Sequence, residues 1–323
     1  MATILVNKFC FHNLRFHFPV TLTCVHLLFQ ALFCVVSMDV LQWLPRKRLD
    51  RSAYLQRVVP IAAAFAANIA AGNVSLRHVP VSFNQTIKSL TPLTTAMVQY
   101  ECTRRRLTVA ASLSLVPVVG GVALGSATEL SWHTWGFFSG VISCFFTGAK
   151  FVLSHELLRG QYMLTPLQLV SLVAPAATVM LLPLAVYSEG RAAYTWFVRA
   201  GSDPQFLPTL DPTTPATAAM RAAAWIHLAS PAGVRLVVLM PLFSGLVALL
   251  LNITSFAVLQ RTSSVTVTIA GNLKTCLLIG WSILLFQNPV TPLNLFGCVL
   301  AVLGCLWHGL LPRKWHIEEA KGG

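Results

Sequence analysis

The chain has 323 residues, of which 55% are hydrophobic and only 10% charged, with a mean hydropathy of +0.69 and a formal net charge of +13. An ordinary soluble domain carries about 25% charged residues, so this balance excludes a water-soluble globular domain and makes lipid the solvent. The surplus of positive charge follows the loop pattern described below, and nucleic acid is not counted among the partners.

Ala2 to Val6 is apolar and then meets Asn7 and Lys8, which reads as the tail of a span whose beginning is absent. Nine further apolar runs follow, separated by Pro, Gly and charged breakers, at about 19 to 44, 57 to 77, 80 to 100, 107 to 127, 134 to 154, 164 to 187, 234 to 258, 262 to 286 and 292 to 311. Each is about the 20 residues needed to cross a hydrocarbon core roughly 30 Å thick. No small-residue cleavage site follows the first run and no Arg/Ser-rich transit peptide precedes it, so insertion is expected to rely on the spans themselves. The connection from about 188 to 233 is rich in Pro, Thr and Asp and is expected to be an irregular solvated loop.

Lys and Arg are retained on the cytoplasmic side of short loops. Arg46, Lys47, Arg48, Arg51, Arg57, Arg104 to Arg106, Arg159, Arg261, Arg313, Lys314 and Lys321 fall on one side, 13 of the 23 basic residues. That side is expected to be cytoplasmic, which places the C-terminus there and the 188–233 loop on the luminal or outer face. The eight cysteines show no metal or redox spacing and are expected to pack as small apolar residues. Asn73, Asn84 and Asn252 begin glycosylation sequons, but each lies within or at the edge of a span, out of reach of a glycosylating enzyme.

Three lysines break the loop pattern. Lys88, Lys150 and Lys274 lie inside apolar spans, where a charge costs about 2.5 to 3.5 kcal/mol on insertion scales and so is expected to face a polar cavity or a partner. Snorkelling to the interface is the alternative, strongest for Lys150, one turn from a span end. Pairing with a buried carboxylate is hard to arrange, since Asp39, Glu101, Glu129 and Glu156 sit near span ends. Lysines in this setting suit a ligand that brings its own negative charge, and phosphate is the usual one. Asn84 and Gln85 precede Lys88 by about one turn, and Asn272 and Thr275 flank Lys274, offering hydrogen bonds to phosphate, ribose or sugar hydroxyls; Asn252, within its span, joins this set. All of these polar residues could equally serve in helix-to-helix hydrogen bonds.

Val81 to Ser89 lines up without gaps on Val267 to Thr275, matching Val, Ile/Leu, Lys and Ser/Thr. If the vestigial start counts as a span, the two lysines occupy the fourth span of each of two five-helix halves, residues 1–130 and 131–323. Halves with an odd number of spans insert with opposite orientation, a common build for alternating-access carriers with a site near the midplane. Lys88 and Lys274 are then expected to face one another across a pseudo-two-fold axis, with Gly271 allowing close helix approach.

The segments Asn73 to Pro92, Ala270 to Thr275 and Phe286 to Pro289 resemble the triose-phosphate/nucleotide-sugar transporter family of the drug/metabolite transporter superfamily, and the resemblance extends over nearly the whole chain. It implies an all-α polytopic fold of ten helices in two inverted five-helix repeats, the first helix incomplete here. It also implies antiport of a phosphorylated solute with no ATP hydrolysis, no cofactor and no enzymatic activity. Plastid phosphate translocators of this family follow the second lysine with arginine, whereas this chain has Thr275. That difference, with the Gly271-Asn272-Leu273-Lys274-Thr275 run, is similar to the nucleotide-sugar branch, and Val79 to Pro92 resembles plant-type carriers of UDP-galactose. The resemblance therefore implies a Golgi importer of a UDP-sugar against UMP, in which Lys88 and Lys274 neutralise the diphosphate and Lys150 attracts or gates the nucleotide. A plastid-envelope sugar-phosphate/phosphate translocator is the alternative, and a non-transporting membrane scaffold or lipid head-group enzyme a second; a homodimer is left open.

Overall fold

The computed structural model describes residues 18–47, 49–79, 84, 87–104, 108–127, 133–202, 232–271 and 292–311. The described chain is built of helices, and no strand occurs among these residues. Helix α1 (Pro19–Val35) runs into a π-helical turn at Val36–Val40, and α2 (Val59–His78) is preceded by a short helix at Arg51–Ala53 and a π-helical turn at Tyr54–Val58. There follow α3 (Thr91–Thr103), α4 (Val109–Ala127), α5 (Thr134–Arg159), α6 (Pro166–Ser202), α7 (Ala232–Arg261), α8 (264–271) and α9 (Pro292–Leu310). Among the described residues five helical stretches are long and apolar enough to cross a bilayer: Pro19–Val40, Arg51–His78, Thr134–Arg159, Pro166–Trp196 and Leu242–Arg261. The protein is a multi-pass membrane protein, and side chains such as Leu32, Val116, Phe138, Val179 and Leu250 are exposed along its helices because lipid, not water, covers them.

One expectation is corrected. The sixth span does not give way to a loop at 188, since α6 continues to Ser202. The polar run Ser188-Glu189-Gly190-Arg191 looks like a span end, but it holds no proline, and beyond it Ala193 and Trp196, three apart on one face, are buried again. The first strong breaker is Asp203-Pro204, and residues 203–231 lie outside the described residues.

The helices fall into two compact units, Met1–Lys47 with Val170–Thr254, and Arg48–Leu169 with Ser255–Gly323. Each draws on both of the sequence halves 1–130 and 131–323. In the first unit, the ring of Phe29 on α1 seats against Gly245 of α7, where an added Cβ would lie 3.0 Å from Phe29 Cγ.

In the second unit α2 and α3 both pack on α5. The contact face of α5 carries Gly136, Gly140, Cys144 and Gly148, one residue every four, so small side chains line up along one stripe and backbones approach closely. A Cβ on Gly140 would lie 2.9 Å from Ile87 Cγ2 and 3.0 Å from Ser75 Oγ, and one on Gly148 would lie 2.8 Å from Thr95 Cα. Elsewhere in this unit α4 meets α9 through a buried hydrogen bond of 2.8 Å between Ser114 Oγ and His308 Nδ1, and Leu115 and Val118 of α4 close a small core with Val265 and Ile269 of α8.

Candidate functional site

Lys88 stands where the helical path breaks. Residues 87 and 88 are helical, Ser89 and Leu90 form a turn, and α3 restarts at Thr91 with Pro92 in its first turn. Pro92 has no N–H to give the Lys88 carbonyl one turn back, so the helical ladder lapses there and restarts from Thr91. The carbonyls freed there find local donors: Thr91 Oγ1 donates to the Lys88 carbonyl, and Leu90 N donates to that of Ile87 at 3.0 Å. From α5 the Cys144 thiol also points at the Ile87 carbonyl, at 3.4 Å. A half-buried lysine beside an unwound backbone is the arrangement in which membrane carriers commonly present charge and polar groups to a solute.

One turn earlier, Asn84 is fully buried. Its Nδ2 donates to Ser75 Oγ of α2 at 2.8 Å, and that hydroxyl donates to the Gly136 carbonyl of α5 at 2.7 Å. Asn84 is thereby a link in a chain joining α2 to α5. Its Oδ1 is buried and meets no donor among the described residues.

Lys150 projects from α5 toward α2. Its ammonium lies 5.1 Å from the ring centroid of Phe65 and 4.4 Å from that of Phe151, a two-sided cation–π setting. Ser143, Thr147 and Lys150 recur at helical spacing on the same face of α5, and Phe65 and Asn68 are one turn apart on the facing part of α2. Ser143 Oγ and Thr147 Oγ1 lie 2.7 and 2.9 Å from Asn68 Oδ1 as donors, with the Asn68 and Ser143 carbonyls as second acceptors for the same hydroxyls. The second unit therefore holds a polar and aromatic cluster inside an apolar span. Sequence reasoning missed Asn68, Ser143 and Thr147; the isolated Asn68 in Ile61-Ala-Ala-Ala-Phe-Ala-Ala-Asn-Ile69 was the available signal.

In the first unit Asn252 of α7 donates from Nδ2 to Gln30 Oε1 of α1 at 2.9 Å. It acts as an interhelical clamp, with Gln30 2% exposed. Gly271 ends the described part of α8, and a Cβ there would meet nothing within 4 Å among the described residues. Among the described helices, close approach is made by Gly140 and Gly148, while the residues that follow Gly271 lie outside the described residues. Gln85, Asn272, Lys274 and Thr275 lie outside the described residues.

Also unanticipated was Glu189. Placed by α6 beside the start of α1, its carboxylate accepts from the backbone N–H of Val20 at 3.1 Å and of Thr21 at 2.8 Å, and from the Thr21 hydroxyl at 2.8 Å. Other ion pairs sit at helix ends: Arg46 with Asp39, Arg57 with Glu156 at 3.1 Å, and Arg104 with Glu101 at 3.2 Å.

Comparison with known proteins places this architecture. The chain is 34% identical over 309 residues to UDP-galactose transporter 1 of Arabidopsis thaliana, an alignment covering 96% of this chain and 82% of the relative. GDP-mannose transporter GONST5 of the same plant is 34% identical, with 96% and 81% covered. UDP-uronic acid transporter 1, also from that plant, is 30% identical, with 98% and 92% covered. Among solved structures, one crystallised protein superposes with a TM-score of 0.51 over 96% of each chain at 13% identity, a likeness of fold alone. The sequence profile described as the Triose-phosphate Transporter family matches residues 1–309, and the chain belongs to that family.

Proposed function

We propose that the protein is a nucleotide-sugar antiporter of the Golgi membrane, importing a UDP-sugar of the UDP-galactose type in exchange for UMP by alternating access. The observation that carries this reading is the pairing of a half-buried Lys88 at a helix break with relatives named for nucleotide sugars at 30 to 34% identity over nearly the full chain. Thr275 after Lys274 supports it further, because the position lacks the bidentate donor that suits a small sugar phosphate.

In this mechanism Lys88 and Lys274 neutralise the diphosphate from the matching spans of two inverted five-helix repeats. Lys150, held beside the rings of Phe65 and Phe151, attracts the nucleotide and exchanges ring contacts for phosphate oxygens. Asn84 through its remaining Oδ1, together with Gln85, Asn272 and Thr275, supplies hydrogen bonds to ribose, base or sugar. Exchange rather than net transport follows from the charges. Lysines with no anion bound disfavour the passage of the empty site through its occluded state, and a returning UMP lowers that barrier.

Relatives named as probable sugar phosphate/phosphate translocators, at 28 and 29% identity, support a second reading as a phosphate exchanger. One assay separates the two. Purified protein in liposomes preloaded with UMP takes up labelled UDP-galactose under the first reading. Uptake of sugar phosphate that requires internal inorganic phosphate, with no response to UMP, overturns it.

A further inference from the structure

A second polar recess lies in the same compact unit as Lys88 and Lys150 but at the helix ends. It is a cavity of about 480 Å3 formed where the start of the α2 segment, the end of α3 and the α5–α6 turn come together. Its charged lining is Arg57, Arg159 and Glu156, with His155, Gln161 and Tyr162 adding polar groups. The carboxylate of Glu156 is committed to Arg57 at 3.1 Å, whereas Arg159 makes no ion pair among the described residues. His155 Nε2 lies 3.2 Å from the Thr262 carbonyl and so donates to it, which fixes the ring against the α7–α8 connection. The recess is positive on balance, rich in donors, and lies at the ends of helices long and apolar enough to cross a bilayer.

Two neighbouring features distinguish the ligand from a free anion. The α5–α6 turn holds Met163 at φ 43°, a left-handed backbone that a methionine rarely adopts, and leaves its side chain 72% exposed next to Tyr162. Met163 N donates to the Gly160 carbonyl at 3.2 Å, so the turn is closed around this placement. On α3, Thr103 lines the polar recess, and Tyr100, one turn back, lines an apolar groove of about 780 Å3 with Leu93, Met97, Leu115 and Val116. A ligand with a phosphate head and a hydrocarbon tail matches both surfaces. A soluble phosphate matches only the first.

The geometry points to an anionic phospholipid as the occupant: its phosphate-bearing headgroup sits in the recess on Arg159 and Arg57, and an acyl chain lies along the α3–α4 groove. Basic pockets between membrane helices recognise such headgroups, and each Lys or Arg near an anionic surface contributes enough to change affinity about fivefold. The site is separate from the buried lysines and does not depend on what the transporter carries.

The test is native mass spectrometry of the full-length protein released from nanodiscs of phosphatidylcholine containing phosphatidylserine. The wild-type chain is expected to retain phosphatidylserine in preference to phosphatidylcholine, and Arg159→Gln to reduce that retention about fivefold. Arg159 is exposed and makes no ion pair among the described residues, so this single variant is expected to fold; Arg57→Gln with Arg159→Gln deepens the loss. Raised thermal stability on adding phosphatidylserine to wild type, absent in Arg159→Gln, is the second expected readout. Equal retention of the two lipids, unchanged retention in Arg159→Gln, or displacement of the bound lipid by millimolar inorganic phosphate overturns the proposal, the last by identifying a soluble phosphate site.

Discussion

Glu189 completes the first turn of α1 through Thr21. Helix N-termini leave their first N–H groups without partners, and here each is accounted for. Pro19 has none to offer, Leu22 N donates to the Phe18 carbonyl at 2.9 Å, and the Val20 and Thr21 amides both go to the Glu189 carboxylate. A carboxylate on α6 thus does for α1 what an N-cap side chain does locally, and places a negative charge at the positive end of the helix dipole.

Replacing Glu189 by Ala is expected to cost about 1 to 2 kcal/mol, since it removes the cap and the charge–dipole attraction together. Glu189→Gln retains one acceptor and is expected to lose about half of that. A double-mutant cycle with Thr21→Val, read by thermal unfolding in detergent, should show a coupling of about 0.5 kcal/mol or more. Strict additivity of the two substitutions would contradict a direct Glu189–Thr21 contact.

The contrast between Glu189 and Lys88 shows what the sequence made legible. Lys88 stood out because a charge within an apolar run reads as facing a cavity, pairing or snorkelling, and run length alone pointed to the five described stretches long enough to cross a bilayer. Glu189 lay in a short polar run that resembles a span end, and only the burial of Ala193 and Trp196 beyond it reveals that the helix continues. Asn84 illustrates a third case. Its type and spacing suggested a ligand for substrate, yet one end of its amide serves the Ser75–Gly136 link. Spacing alone does not tell a ligand from a tether, because both are buried amides. The Gly136-Gly140-Cys144-Gly148 stripe was readable as a four-residue repeat of small residues, but its partners lie on two other helices, and pairing of that kind is not encoded within α5.

Lys150→Ala is expected to lower the rate of UDP-sugar exchange about 10- to 100-fold, the range for losing a charge-assisted hydrogen bond to a phosphate. Lys150→Arg keeps the charge and the stacking on Phe65, and is expected to retain more of the rate than Ala does. Phe65→Leu removes one aromatic face, worth about 0.5 to 2 kcal/mol, and should change substrate affinity while leaving the fold intact. Initial uptake into UMP-loaded liposomes measures all three. Equal rates for Lys150→Ala and wild type would reduce Lys150 to a packing residue.

Gly148→Ala should destabilise the second unit by about 1 to 3 kcal/mol, the usual penalty for overpacking, because the new methyl would lie 2.8 Å from the backbone Cα of Thr95, which cannot swing aside. Gly140→Ala should cost less, because its new methyl would lie 2.9 Å from Ile87 Cγ2 and 3.0 Å from Ser75 Oγ, side-chain atoms that can give way. Thermal unfolding in detergent measures both variants. An unchanged midpoint in Gly148→Ala would mean that α3 does not press on α5 at this residue.

The proposed mechanism stands or falls on Lys88 and Lys274 together. Each single Lys→Ala substitution leaves one ammonium for the diphosphate and is expected to weaken substrate binding by about 1.5 to 3 kcal/mol, roughly 10- to 100-fold. The double variant leaves neither charge and should abolish exchange, while inserting in the membrane at least as well as wild type, because both lysines are expected from the sequence to lie within spans, where a charge costs about 2.5 to 3.5 kcal/mol. Surviving insertion with lost exchange separates a solute-binding role from a structural one. Undiminished UMP exchange in Lys88→Ala with Lys274→Ala would mean that the anion is held elsewhere, and Lys150 with the Asn68 cluster would be the next place to look.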